Sequence, residues 1–133
     1  MFQLDHLGII VRSLADSVPL YCAMLGVAPE AVEYHDVPSE GVRVAMLKGN
    51  TTIELLEPTE ADGALARFLE KRGPGLHHWC YAVPAPLQDK LDALKAAGFE
   101  LLDESPRVGA EGRVFFVHPR STGGILTEFV EKE

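Results

Sequence analysis

The chain is poor in cysteine, poor in cations and without a long apolar run. Only Cys22 and Cys80 occur in 133 residues, too few for a disulfide framework. Twelve Lys and Arg stand against 20 Asp and Glu, a net charge of −8. A nucleic-acid binder needs a basic face to neutralise phosphates, so this balance argues against one. It leaves room for an anionic small molecule held by a local cluster of cations. No apolar stretch approaches the roughly 18 residues needed to span a bilayer, and Phe2-Gln3-Leu4-Asp5-His6 is not the start of a basic, then apolar, then small-residue leader. The expectation is a soluble protein of a reducing compartment, most simply cytoplasmic, with no membrane partner.

A hydrophobic fraction of 47% is enough for a packed core, and the length suits one domain over residues 1–133. Disorder and collagen-like structure are excluded with it. Leu4–Val11 is apolar and β-branched and reads as a strand. A helix follows to Leu25, stopped by Gly26 and capped by Ser13 or by Asp16. Pro19 is tolerated only in a first helical turn, and the Asp16 cap would place it there. Strands are predicted at about 30–35, 42–47 and 52–56, with Gly49-Asn50 as a hairpin turn. A short helix is expected at 62–71. The second half repeats the order: a strand at 76–83, a helix at 86–97 stopped by Gly98, then strands at 99–103, 113–118 and 124–130.

The two halves also match residue by residue. His6 and His78 are 72 residues apart, as are Val11 and Val83, and Gly26 and Gly98. Thr52-Ile53-Glu54-Leu55-Leu56-Glu57 matches Leu126-Thr127-Glu128-Phe129-Val130-Glu131 at an offset of 74. The expected architecture is therefore α+β: two βαβββ modules, about 1–60 and 74–133, joined by a linker helix at about 62–72. Each module alone has too small a core, so the pair should form one eight-stranded half-open barrel.

Four polar residues occupy matched places in otherwise apolar strands: His6, Glu54, His78 and Glu128. A carboxylate or imidazole among Leu, Ile and Val is costly unless paired or metal-bound. Two histidines and two carboxylates suit one divalent cation. His77 competes with His78, but side chains alternate along a strand and the repeat register selects His78. His35 and His118 have no repeat partner; His118 either lines a cavity mouth or is a turn residue.

At these residues the chain resembles the vicinal oxygen chelate superfamily and, within it, the methylmalonyl-CoA epimerase family. The similar segments are Asp5-His6-Leu7-Gly8-Ile9, Ile53 to Pro58, and Phe68 to His78. The most specific is the tail, Glu104-Ser105-Pro106-Arg107 through Gly109 and Gly112 to His118-Pro119-Arg120-Ser121-Thr122-Gly123-Gly124. The resemblance implies His6, Glu54, His78 and Glu128 as ligands of one divalent metal ion: cobalt by resemblance, with nickel, manganese, magnesium or zinc as alternatives. It implies an acyl-CoA substrate, a homodimer, and epimerisation between the 2R and 2S forms of methylmalonyl-CoA. Glu128 is the first choice for a catalytic acid or base and Glu54 for the opposing one. Two departures stand out. Arg120 replaces a frequent lysine, and Val44 stands where some family members carry a glutamate proposed as a base. Substrate phosphates would need local cations, for which Arg67, Lys71, Arg72, Arg107, Arg113 and Arg120 are available.

Glyoxalase I is the alternative within the same superfamily. Bacterial forms share the ligand set but carry an arginine in the first strand where this chain has Ile10, and they lack the tail. Extradiol dioxygenases use two histidines and one glutamate, which leaves Glu54 without a role. A non-enzymatic ligand-binding member is a third reading, countered by the four intact ligand residues.

Overall fold

The architecture comes from a computed structural model, described here for residues 2–109 and 112–132. The elements are strand β1 (Gln3–Ile10), helix α1 (Leu14–Leu25), strands β2 (Glu33–Val37), β3 (Val42–Leu47) and β4 (Thr52–Pro58), helix α2 (Ala64–Arg72), strand β5 (Gly75–Pro84), helix α3 (Leu87–Ala96), and strands β6 (Arg107–Gly109), β7 (Gly112–Val117) and β8 (Leu126–Lys132). The order strand, helix, three strands thus occurs twice, as the repeat requires. No helix among the described residues is long and apolar enough to cross a membrane. Cα proximity divides the chain into two compact units. One is Leu7–His77; the other joins the residues before Leu7 to the chain from His78 onward.

In the Leu7–His77 unit, β2, β3 and β4 pair antiparallel in sequence order, and the hairpin between β3 and β4 spans Gly49-Asn50. Alternation sends Ala45, Leu47 and Leu55 to one face, where they pack on Leu14, Val18 and Cys22 of α1. Val42, Val44, Met46 and Leu56 take the other face with Ile10, against Leu65, Phe68 and Leu69 of α2. Covered on both sides, β3 is apolar at every position but Arg43. Ser13 is the cap of α1, its hydroxyl accepting the Asp16 N–H at 3.2 Å, and Gly26 ends the helix in the left-handed region at φ 71°. Pro19 is consequently inside α1 and not in its first turn. It is exposed, so the lost backbone donor is a cost borne at the surface.

The other unit orders its strands β5-β8-β7-β6, with β5 parallel to β8 and the remaining pairs antiparallel. Leu87 and Leu91 of α3 pack on Phe115 and Val117, while Cys80, Val114 and Val130 form a smaller apolar cluster. Two strand expectations shift. Pro29–Ala31 makes a single 3-10 turn, so β2 starts at Glu33. Residues 99–103 contribute only a lone bridge between Leu101 and Val117, and β6 forms later. The cause is Asp103, whose carboxylate accepts the Phe116 N–H at 2.8 Å and so replaces a backbone acceptor.

A second repeat-matched pair is structural. Glu57 accepts the N–H of Leu14 at 2.6 Å, and Glu131 accepts that of Leu87 at 2.7 Å. Each module thus uses the end of its last strand to satisfy a donor at the start of its own helix, with a negative charge placed at the positive end of the dipole. Glu131→Ala is expected to lower stability by about 1–2 kcal/mol, measured by urea denaturation, with Glu131→Gln losing less.

Candidate metal centre

Three side chains of one unit converge: His6 from β1, His78 from β5 and Glu128 from β8. Strand pairing explains the last two. Cys80 lies opposite Glu128 in the β5–β8 register, so His78, two residues along β5, faces the same side. The histidines are almost closed off from solvent, at 6% and 8% exposure. His6 Nε2 lies 3.2 Å from His78 Nε2 and 3.1 Å from Glu128 Oε1, and His78 Nε2 lies 3.5 Å from that same oxygen. Around a metal with ligands at about 2.1 Å, adjacent donors are about 3.0 Å apart in an octahedron and about 3.4 Å in a tetrahedron. The observed triangle has the dimensions of one face of such a polyhedron. Two nitrogens and a carboxylate oxygen are also a suitable donor set for a borderline divalent ion. The residues therefore fit a metal.

Several contacts hold the triangle in place. The His78 ring meets Phe116 edge-on, and Phe116 is opposite Glu128 in the β7–β8 register. The tail motif forms a 3-10 turn at Pro119–Ser121 that leads into β8. Within it Gly124 donates to the Pro119 carbonyl at 2.8 Å, with Gly123 and Gly124 both at positive φ, and the Thr122 hydroxyl donates to the Ile125 carbonyl. Next to Glu128, Thr127 receives the Trp79 indole N–H at 2.9 Å.

Sequence reading gave no role to Asp5. Its carboxylate lies 2.9 Å from His6 Nδ1 and 3.5 Å from Lys132 Nζ. The hydrogen bond from His6 holds the Asp5 carboxyl below its ordinary range, with help from Lys132 and against the opposing effect of burial. Alternation along a strand hides such a contact, because neighbours are expected to face apart. Asp5, His6 and Cys80 also form a donor cluster within 4.8 Å. Burial pushes the Cys80 thiol up to about 12, so at neutral pH it is a protonated and poor ligand.

Glu54, the fourth expected ligand, lies on β4 in the Leu7–His77 unit. It is half-buried, opposite Met46, on the strand face that carries Leu56. Val44 is 9% exposed in the apolar cluster of that face and offers no base. His77 packs edge-on against Phe68 at 4.9 Å, and burial, then Arg72, lowers its pKa to about 4. It is a neutral imidazole outside the His6–His78–Glu128 cluster. His35 is exposed beside Glu33. His118 caps the tail turn, its Nδ1 accepting the Arg120 N–H at 2.9 Å, which is the turn role. Among the candidate cations, Arg107 is tied to Asp103 at 3.0 Å and stacks over Phe116, Arg72 stacks over Phe68, and Arg120 pairs with Glu100 at 3.2 Å.

The Glyoxalase/Bleomycin resistance protein/Dioxygenase superfamily matches residues 5–117. An ethylmalonyl-CoA/methylmalonyl-CoA epimerase of Cereibacter sphaeroides is 38% identical, over 95% of this chain and 95% of its own length. The chain belongs to this superfamily and to its methylmalonyl-CoA epimerase family. With the family comes the α+β, glyoxalase-like fold class expected above. An uncharacterized Bacillus subtilis protein, YqjC, is 39% identical over 98% of this chain and 93% of its own length. A solved methylmalonyl-CoA epimerase in complex with methylmalonyl-CoA and ammonium superposes with a TM-score of 0.87 at 33% identity, covering 99% of this chain and 95% of that one.

Protein stripped with a chelator and reloaded should take up about one divalent ion per chain by elemental analysis. The double variant His6→Ala, His78→Ala should take up none while retaining its far-UV circular dichroism.

Proposed function

We propose that this chain interconverts (2R)- and (2S)-methylmalonyl-CoA, with its two βαβββ modules acting as a single domain. The observation that carries the reading is the convergence of His6, His78 and Glu128 in a chain 38% identical to an epimerase of this class. Epimerisation removes the proton from the carbon between thioester and carboxylate and returns one to the opposite face. The difficult point is the negative charge that develops on the substrate. A divalent ion held by His6, His78 and Glu128, with Glu54 as fourth ligand and cobalt as the family's precedent, would supply Lewis-acid stabilisation of that charge.

The chain's own residues do the rest. The buried histidines offer their Nε2 atoms at a fixed spacing of 3.2 Å. Glu128 would take the α-proton on one face through the carboxylate oxygen that does not hold the ion, since a coordinated oxygen is a weak base, and Glu54 would serve the opposite face. A buried valine at 44 removes the base some relatives carry there, which transfers that duty to Glu54. Ile10, with no solvent exposure, occupies the place of the arginine of bacterial glyoxalases, so glutathione recognition has no basis at that position. A homodimer and a cytoplasmic location complete the proposal on family resemblance; light scattering at twice the 14.5 kDa chain mass would support the dimer.

Metal-loaded protein in heavy water should exchange the α-proton of methylmalonyl-CoA, followed by mass spectrometry, and chelator should stop it. Exchange absent here, with isomerisation of the methylglyoxal–glutathione hemithioacetal present, would establish the glyoxalase activity instead. Glu128→Gln keeps an oxygen ligand and removes the titratable group. Its metal content should stay near wild type while turnover falls by about 10² or more. Full activity in that variant would reduce Glu128 to a ligand.

A further inference from the structure

The repeat makes His6 and His78 equivalent, but their neighbours differ. At the offset of 72 that relates the histidines, Asp5 corresponds to His77. One ligand histidine therefore follows a carboxylate and the other follows an imidazole. Asp5 Oδ2 lies 2.9 Å from His6 Nδ1, and its other oxygen lies 3.5 Å from Lys132 on β8, the strand that carries Glu128. An ionised carboxylate can only accept, so the proton of this hydrogen bond sits on Nδ1 of His6. Nε2 is then the nitrogen left to act as a ligand, and it is the atom 3.1 Å from Glu128 and 3.2 Å from His78.

We infer that Asp5 is a positioning residue: it fixes His6 in the Nδ1–H tautomer and ring orientation that present Nε2 as a donor, with Lys132 holding the carboxylate in place. The metal part of this inference rests on the function proposed above; the tautomer part does not. A carboxylate behind a ligand imidazole raises its basicity and removes the competing tautomer. Without Asp5, the Nε2 position would compete between proton and metal.

The test uses full-length protein labelled with nitrogen-15, metal-free at pH 8, with long-range nitrogen–proton correlation spectra of the imidazoles. The expected result is His6 as Nδ1–H in wild type and in Lys132→Ala, and a change toward Nε2–H in Asp5→Ala. Titration calorimetry with the divalent ion should show affinity reduced about 10–100-fold in Asp5→Ala, and less in Asp5→Asn, whose amide oxygen can still accept. His6 as Nε2–H in the wild-type protein overturns the inference, and that measurement stands even where Asp5→Ala does not fold. Wild-type affinity in both Asp5 variants overturns it as well. A wild-type protein that binds no ion, or that binds one and does not epimerise, counts against the proposed function and leaves the tautomer measurement to decide the role of Asp5.

Discussion

Everything in the site follows from placing two imidazole nitrogens and a carboxylate oxygen within 3.1–3.5 Å of one another under apolar cover. Lone pairs at that spacing repel, and the low exposure of the three side chains limits the water that could relieve the repulsion. Only a proton or a cation shared among them makes the arrangement favourable. The rest of the unit serves this arrangement. Parallel pairing of β5 with β8 brings His78 and Glu128 to one side, and Phe116 closes the surface beside them. The Thr127–Trp79 hydrogen bond anchors the strand at the residue before Glu128.

The parts of this structure that could be read from the sequence are those that depend on repetition. His6 with His78, Glu54 with Glu128 and the two helix stops at glycine are visible as matched offsets, and the strand–helix–three-strand order follows from them. Convergence of His6, His78 and Glu128 is the geometric counterpart of that reading. What escaped notice depends on side chains reaching against the local pattern. Asp103 takes the Phe116 N–H and displaces the sixth strand to Arg107–Gly109. Asp5 bends back to its own neighbour, although strand alternation assigns the two to opposite faces. Pro19 inside α1 shows a propensity overridden by the packing of Leu14, Val18 and Cys22 on the sheet. Neither period nor composition carries such information.

The same limit applies to Val44. As a sequence position it marks a missing base. In the structure it is a fully used core residue, packed with Val42, Met46, Leu56 and Ile10 and covered by α2. A glutamate there would place a charge in an apolar cluster, with a cost that only a bound partner could offset. Valine therefore makes this a cohesive position, and under the proposed function proton transfer would fall to the two repeat-matched glutamates.

The glutamates at the ends of the modules carry a consequence for folding. Glu54 and Glu57, like Glu128 and Glu131, are three residues apart, so within each pair one points to each face of the strand. In β4 the sequence between them is Leu55-Leu56, so a strand shifted by one residue would still present a carboxylate and a leucine on both sides. Side-chain chemistry alone discriminates poorly between the two alignments. The tight connections must do it: the Gly49-Asn50 hairpin before β4, and before β8 the Pro119–Gly124 turn with its internal hydrogen bonds. The tail segment that most specifically marks the family thus acts as a mechanical stop, counting residues so that the glutamate that meets His6 and His78 does not arrive where the one that caps a helix belongs.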